Sequence, residues 1–223
     1  MNVDWQAILL SLELAAATTA ILLVLGTPLA WWLATSTWRG KVVVHAITAL
    51  PLVLPPTVLG FWVLFALGPH SPLGQGWQAL TGGPLAFSFS GILLASVLYS
   101  LPFTVQPLTA AFARVDPRLV EASWSLGASR LETFFRVVLP LSRAGMLSGA
   151  VLTFAHTVGE FGVILMVGGN LPARTRTVSI AVYDHVQALE YGAAATTSAW
   201  LLAFSFLVLV LTYSLQPPPG ARR

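Results

Sequence analysis

Five stretches of this chain are apolar for about 20 residues each, the length a helix needs to cross the hydrocarbon core of a bilayer. They occupy positions 8–33, 44–67, 89–112, 145–167 and 193–215. A backbone in lipid must satisfy its own polar groups, so segments of this kind fold as helices. With 56% of its residues hydrophobic and only 9% charged, the chain reads as an all-α polytopic membrane protein. About five transmembrane helices are expected, or six if a broken span counts as two. The first stretch has no basic residue before it and is too long for a cleaved signal, so it reads as a retained span.

The basic residues orient these spans. Arg39 and Lys41 follow the first stretch, Arg114, Arg118, Arg130, Arg136 and Arg143 lie between the third and fourth, and Arg222 and Arg223 close the chain. Only Arg174 and Arg176 of the eleven basic residues fall on the other side. An excess of Lys and Arg marks the cytoplasmic side. The reading is a multi-pass protein of the cytoplasmic membrane with its N-terminus outside and its C-terminus in the cytoplasm.

The segment 116–143 is the charged interruption of an otherwise apolar chain. Asp116 is suited to cap a helix and Pro117 to begin it. Leu119, Ala122 and Leu126 recur at helical spacing and predict a face to be buried. Gly127 suits the left-handed residue that ends a helix. Ser129 and Glu132 have the spacing of a capping box for a second helix. That helix would carry Leu131, Phe134, Phe135 and Val138 as its stripe and end or kink at Pro140. Two short helices hinged at a glycine can be gripped by a soluble partner. The alternative is an amphipathic loop lying on the headgroups.

Several spans are poor lipid-facing helices. Pro51, Pro55 and Pro56 fall in the second and Pro102 and Pro107 in the third, and both spans are expected to be interrupted there. Broken helices at membrane depth sit against protein or a water-filled cavity, so Pro55 and Pro56 are candidates for a translocation pathway or gate. Packing kinks are the other reading. The fourth span adds Gly145, Gly149, Gly159 and Gly162, which permit close helix approach. Ionisable residues inside spans are few. Glu13 lies near the outer end of the first, where it can snorkel to water, and His156 and Glu160 stand one turn apart on the fourth. Intramembrane ionisable groups are functional candidates by default. A structural polar clamp is the competing reading of Glu160. On the outer side, Arg174 and Arg176 lie in a turn-rich segment that can fold back towards the fourth span, as candidates for steering entry at the outer face, for contact with a binding protein there or for pairing with Glu160.

These features also exclude functions. With no cysteine, disulfides and thiolate metal sites are ruled out. His45, His70, His156 and His185 lack ligand spacing to one another, so no metal site and no cofactor is implied. The net charge of +3 is no nucleic-acid signature. No phosphate-binding G-x-x-x-x-G-K-[ST] motif is present, so the chain is not itself an ATPase. His156 and Glu160 have no nucleophile partner, which argues against a membrane enzyme. A channel or secondary transporter would usually carry mid-depth carboxylates or inverted repeats, and a scaffold would not need broken helices.

The run Glu121-Ala122-Ser123, three residues, Gly127, nine residues, then Val137-Val138-Leu139-Pro140 resembles the EAA loop of ABC-importer permeases. Ser123 and Val137 are mild departures from that pattern. Residues 50–68, 126–141 and 159–177 resemble the molybdate permeases and narrow the likeness to the molybdate, tungstate and sulfate branch. The resemblance implies a single permease domain over 1–223, non-catalytic, with a cytoplasmic coupling loop at about 114–143. It implies a homodimer in the lipid bilayer bound to two copies of an ABC ATPase and served by an extracytoplasmic oxyanion-binding protein. Carried over by position, Glu121, Ala122 and Gly127 fall in the coupling element and Leu139 and Pro140 end it. Trp124 and Leu126 add apolar docking surface. Molybdate is the implied cargo, with tungstate or sulfate as the alternative of the same type. An ATP-independent channel or secondary anion transporter is the alternative of another class.

Overall fold

A computed structural model describes residues 4–215, and within these every regular element is helical. α1 (Trp5–Thr35) is one helix of 31 residues, capped at its start by the Asp4 carboxylate, which accepts from the Ala7 N–H at 3.0 Å. α5 (Phe89–Phe112) lies beside it, and α12 (Tyr191–Leu215) closes the bundle. These three helices are long and apolar enough to cross a bilayer. Two bent pairs, 41–67 and 130–159, bring the total among the described residues to five if each counts as one span; the first is the expected second span, and the second covers only part of the expected fourth, 145–167. α2 (Lys41–Val53) and α3 (Pro56–Leu67) meet at 113°. The stretch from Arg130 to Leu141 meets α9 (Arg143–Gly159) at 74°.

The prolines divide by what surrounds them. Pro51 sits inside α2, and the second span breaks beyond it, at Leu54 and Pro55. Pro102 and Pro107, expected to interrupt the third span, do not: α5 runs through both. Its flank against α9 explains the tolerance. A Cβ at Gly145 would stand 3.2 Å from the Pro107 carbonyl, and one at Gly149 would stand 3.4 Å from that of Thr104. With no side chain at either position, α9 lies against the backbone of α5, so the weakened stretch of α5 is buried in protein rather than in lipid.

The fourth span breaks where no proline stands. α9 ends at Gly159, and a short helix, α10 (Gly162–Gly168), resumes after Phe161. α10 packs against α3, and a Cβ at Gly162 would lie 2.7 Å from Pro56 Cβ. The two breaks therefore sit side by side, and the two short half-helices beyond them form one packed pair with Val63, Leu67, Val163 and Val167 as its core.

At one end of the bundle, α6 (Pro117–Ser125) and α7 (Arg130–Thr133) make an elbow. A π turn follows over Phe134–Val138, then a last short turn, α8 (Leu139–Leu141). Pro140 has no N–H, and its ring would crowd a carbonyl four residues back in a regular helix. The wider π turn just before it, closed by the Leu139 N–H onto the Phe134 carbonyl, gives the ring room. At the opposite end lie α4 (Pro72–Thr81) and α11 (Val178–Gln187).

Candidate functional site

The elbow is built as its sequence dictates. Asp116 accepts from the Arg118 N–H at 2.9 Å, and Ser129 accepts from the Glu132 N–H at 3.2 Å. Gly127 has φ +87°, with its N–H on the Trp124 carbonyl and the Ala128 N–H on the Ser123 carbonyl, so the helix ends in a left-handed turn. Ser123, the departure from the family pattern, hydrogen-bonds across the elbow to the Thr133 hydroxyl at 2.9 Å. The sequence pattern gave no signal for that bond, since it joins residues on two helices whose crossing depends on the turn between them.

The apolar faces of the elbow divide in two. Val138 is buried and Phe134 half-buried, packed with Val120, Phe112 and Trp31 at the foot of the bundle. Leu131 and Phe135, expected on the same stripe, are exposed. The face expected to bury Leu119, Ala122 and Leu126 is uncovered: Leu119 is 47%, Trp124 46% and Leu126 89% exposed. Leu119, Ala122, Leu126 and Gly127 line one side of an open groove, with Glu132 and Arg136 on its other side, paired at 3.1 Å. Glu121 is exposed on α6, and Leu139 and Pro140 stand beyond the groove at the bend into α9.

The second locus is a polar seam between α5 and α9. Ser100 bonds both the Thr157 hydroxyl and His156 Nδ1 at 3.0 Å, and Thr104 bonds the Thr153 hydroxyl. These serine and threonine side chains are buried. The His156 ring stacks on Phe103, with centroids 3.9 Å apart, and its Nε2 is 4.0 Å from Glu160 Oε2. Glu160 stands at the break itself. Its Oε1 accepts from the Val163 N–H at 2.8 Å, supplying the cap that the start of α10 would otherwise lack. Glu160 is 7% exposed, so this carboxylate is held inside the chain. Pro55 and Pro56, in contrast, are exposed at the neighbouring break.

Arg174 and Arg176 part company. Arg174 is exposed on the turn after α10. Arg176 is largely enclosed, paired with Asp184 of α11 and 4.0 Å from Asp4 at the start of α1. Asn170 donates to the same Asp184 carboxylate. The segment after α10 is thus tied to α11 and α1, and Arg176 is not among the partners of Glu160. Sequence reading missed Asp4 and Asp184, which lie far apart in the chain and carry no pattern of their own.

Comparison with known proteins places this geometry among transporters. The family described as binding-protein-dependent transport system inner membrane component matches residues 26–217. The molybdenum transport system permease protein ModB of Azotobacter vinelandii is 54% identical over 211 residues, covering 95% of this chain and 93% of that protein. Its namesake in Escherichia coli K12 is 38% identical over 184 residues, covering 82% of this chain and 80% of its own. A sulfate transport system permease protein, CysT of Synechocystis, is 34% identical and is spanned over 67% of its length, against 86% of this chain. Among solved structures, the inward-facing MetNI methionine ABC transporter has a chain of the same fold at TM-score 0.73 and 16% identity, over 96% of this chain and 94% of that one. A bacterial alginate ABC transporter aligns at TM-score 0.75 and 16% identity, over 93% of this chain and 76% of that one.

Proposed function

Because the chain belongs to the family of binding-protein-dependent transport system inner membrane components, we propose that it is the permease subunit through which molybdate crosses the cytoplasmic membrane. An extracytoplasmic binding protein delivers the oxyanion, and a separate ABC ATPase, in two copies, drives its passage through a homodimer of this chain. The observation that carries the class is the elbow: Leu119, Trp124 and Leu126 are left uncovered on a rigidly capped helix outside the spans. Burying Leu126 in a partner's groove would contribute about 1.5–3 kcal/mol, and Leu119, already half-buried, about half as much. Glu121 pairing with a basic residue of the partner would add about 0–1 kcal/mol at an exposed rim. The cargo rests on the two ModB proteins of Azotobacter vinelandii and Escherichia coli, which are more similar over more of their length than the sulfate permease of Synechocystis.

In this reading the whole chain is one transmembrane unit, with its coupling element at about 114–143 on the cytoplasmic side and its N-terminus outside. Closure of the ATPase pulls on α6 and α7. The π turn, Pro140 and the 74° bend carry that displacement into α9. The hydroxyl seam fastens α9 to α5, so the two move together. The breaks at Pro55–Pro56 and Glu160–Phe161 let the packed pair of α3 and α10 tilt against them and act as a gate. Arg174 meets the anion or its carrier at the outer face, while Arg176 shapes that face through Asp184.

The test is reconstitution of the chain with an ATPase subunit and an oxyanion-binding protein in proteoliposomes. Molybdate-loaded binding protein should stimulate ATP hydrolysis and uptake more than the sulfate-loaded form. If no ATPase subunit assembles with the chain, the transporter class fails. If only sulfate stimulates, the class stands and the cargo is wrong.

A further inference from the structure

Between the start of α1, the end of α9 and the middle of α12 lies an apolar cleft of about 210 Å3. Val158 and Val178 form its buried floor, and Leu12 and Phe204 line its walls. Trp5 and Trp200 stand at its mouth with ring centroids 5.9 Å apart, each more than half exposed. We infer that this cleft is a lipid site, in which one acyl chain of a bilayer phospholipid seats between α1 and α12.

The chemistry of the lining selects the occupant. Ser11 is the one polar side chain apart from the tryptophans at the mouth, and its hydroxyl is spent: it donates to the Ala7 carbonyl and accepts from the Val178 N–H, each at 2.8 Å. Water held in a cavity needs two to four polar partners, and apolar cavities of about 150 Å3 stay dry and take up apolar guests instead. A dry void of this size would cost stability in proportion to its volume. The cleft must therefore be filled by something apolar.

The position selects the source. The floor is buried while the mouth is exposed, so the cleft opens sideways out of the bundle, where a membrane-spanning chain meets hydrocarbon. Another face of the same helix is apolar and exposed too, through Leu202, Phe206 and Val210. Tryptophans favour the interface between headgroups and hydrocarbon, and the mouth lies at the end of the bundle away from the elbow. An acyl chain of that leaflet can enter between the two indoles with its headgroup outside. A second copy of this chain would have to force a bulky side chain past both indoles, which makes it the poorer occupant. The floor residue Val158 stands two positions before Glu160 at the break, so the seated chain also buttresses that part of α9.

The full chain should be reconstituted in bilayers containing a phospholipid with a photoactivatable group near the middle of one acyl chain, and labelled residues mapped after illumination. Labelling is expected to concentrate on Leu12, Leu201 and Phe204, above the exposed stripe Leu202, Phe206 and Val210. Leu12→Trp, which fills the cleft, should abolish label at Leu201 and Phe204 and leave the stripe labelled. Even labelling of both sets in the unsubstituted chain would overturn the proposal without recourse to any variant. So would Trp200→Cys chains that join to each other efficiently on oxidation, since the occupant would then be a second copy.

Discussion

The elbow makes a demand of Gly127 that can be separated from packing. A Cβ at this position meets nothing within 4 Å, so substitution adds no clash. What it adds is backbone strain, because the residue sits at φ +87°. Holding an L-residue there costs about 1–2 kcal/mol, and a β-branched residue is a true outlier in that region. α6 contributes no buried residue, so the bundle should tolerate the loss and the melting temperature should barely move. The elbow itself should open. A penalty of one to two kcal/mol shifts its closed population by roughly 5–30-fold. Gly127→Ala should therefore speed hydrogen exchange at residues 127 and 128, weaken capture of the ATPase subunit and lower binding-protein-stimulated ATP hydrolysis, and Gly127→Val should do so more severely. Gly76 supplies the control. A Cβ there also meets nothing, but its φ is ordinary and it lies inside α4, so Gly76→Ala should leave coupling intact and stabilise that helix slightly. If both Gly127 variants coupled at the level of the unsubstituted chain, the left-handed turn would not be what holds the elbow in its docking shape.

Three further outcomes are expected. Glu160→Ala strands the Val163 N–H and should cost about 1–3 kcal/mol in thermal or denaturant unfolding, whereas Glu160→Gln keeps an acceptor oxygen and should cost less; equal losses would mean that the cap is not the source. In a chain without native cysteine, Gln78→Cys should react with an impermeant thiol reagent from outside and Arg130→Cys only from the cytoplasm, and reversed labelling would invert the proposed orientation. Asp184→Asn removes the charge facing the partly enclosed Arg176 and should lower stability by about 1 kcal/mol or more, between the values for exposed and buried pairs, with an unchanged unfolding midpoint counting against a holding role.

How far the sequence could be read depended on how local each determinant is. α1 and α5 extend within a few residues of the expected spans because length and apolarity alone define them. The caps and the turn of the elbow were legible, since they are decided within four residues, and Asp116, Gly127 and Ser129 do what their positions predict, whereas which of its apolar side chains are covered was not. Proline was the less dependable sign. It ends α2 at Pro55 yet leaves α5 unbroken at Pro102 and Pro107, because glycines forty residues away on α9 let a neighbour cover the weakened backbone. No window around residue 102 contains that information.

The break at Glu160 shows the same limit from the other side. Its local sequence, Gly-Glu-Phe-Gly, carries a signal in the form of a carboxylate between two glycines in an apolar run, but that signal alone leaves the clamp and the pathway readings open. The geometry supplies what was missing. One oxygen is committed to the Val163 N–H and the other points towards His156, which is itself engaged by Ser100. A carboxylate so occupied favours the proposed clamp reading over the pathway one. Under the proposed function, a side chain enclosed in this way does not meet the cargo. The exposed side of the two adjacent breaks is Pro55–Pro56, across the packed contact of Pro56 with Gly162, and in the proposed pathway the cargo would meet backbone and apolar side chain there. A pathway lined that way would hold an oxyanion weakly, which suits the proposed role of a subunit that receives its cargo already captured and has only to let it pass.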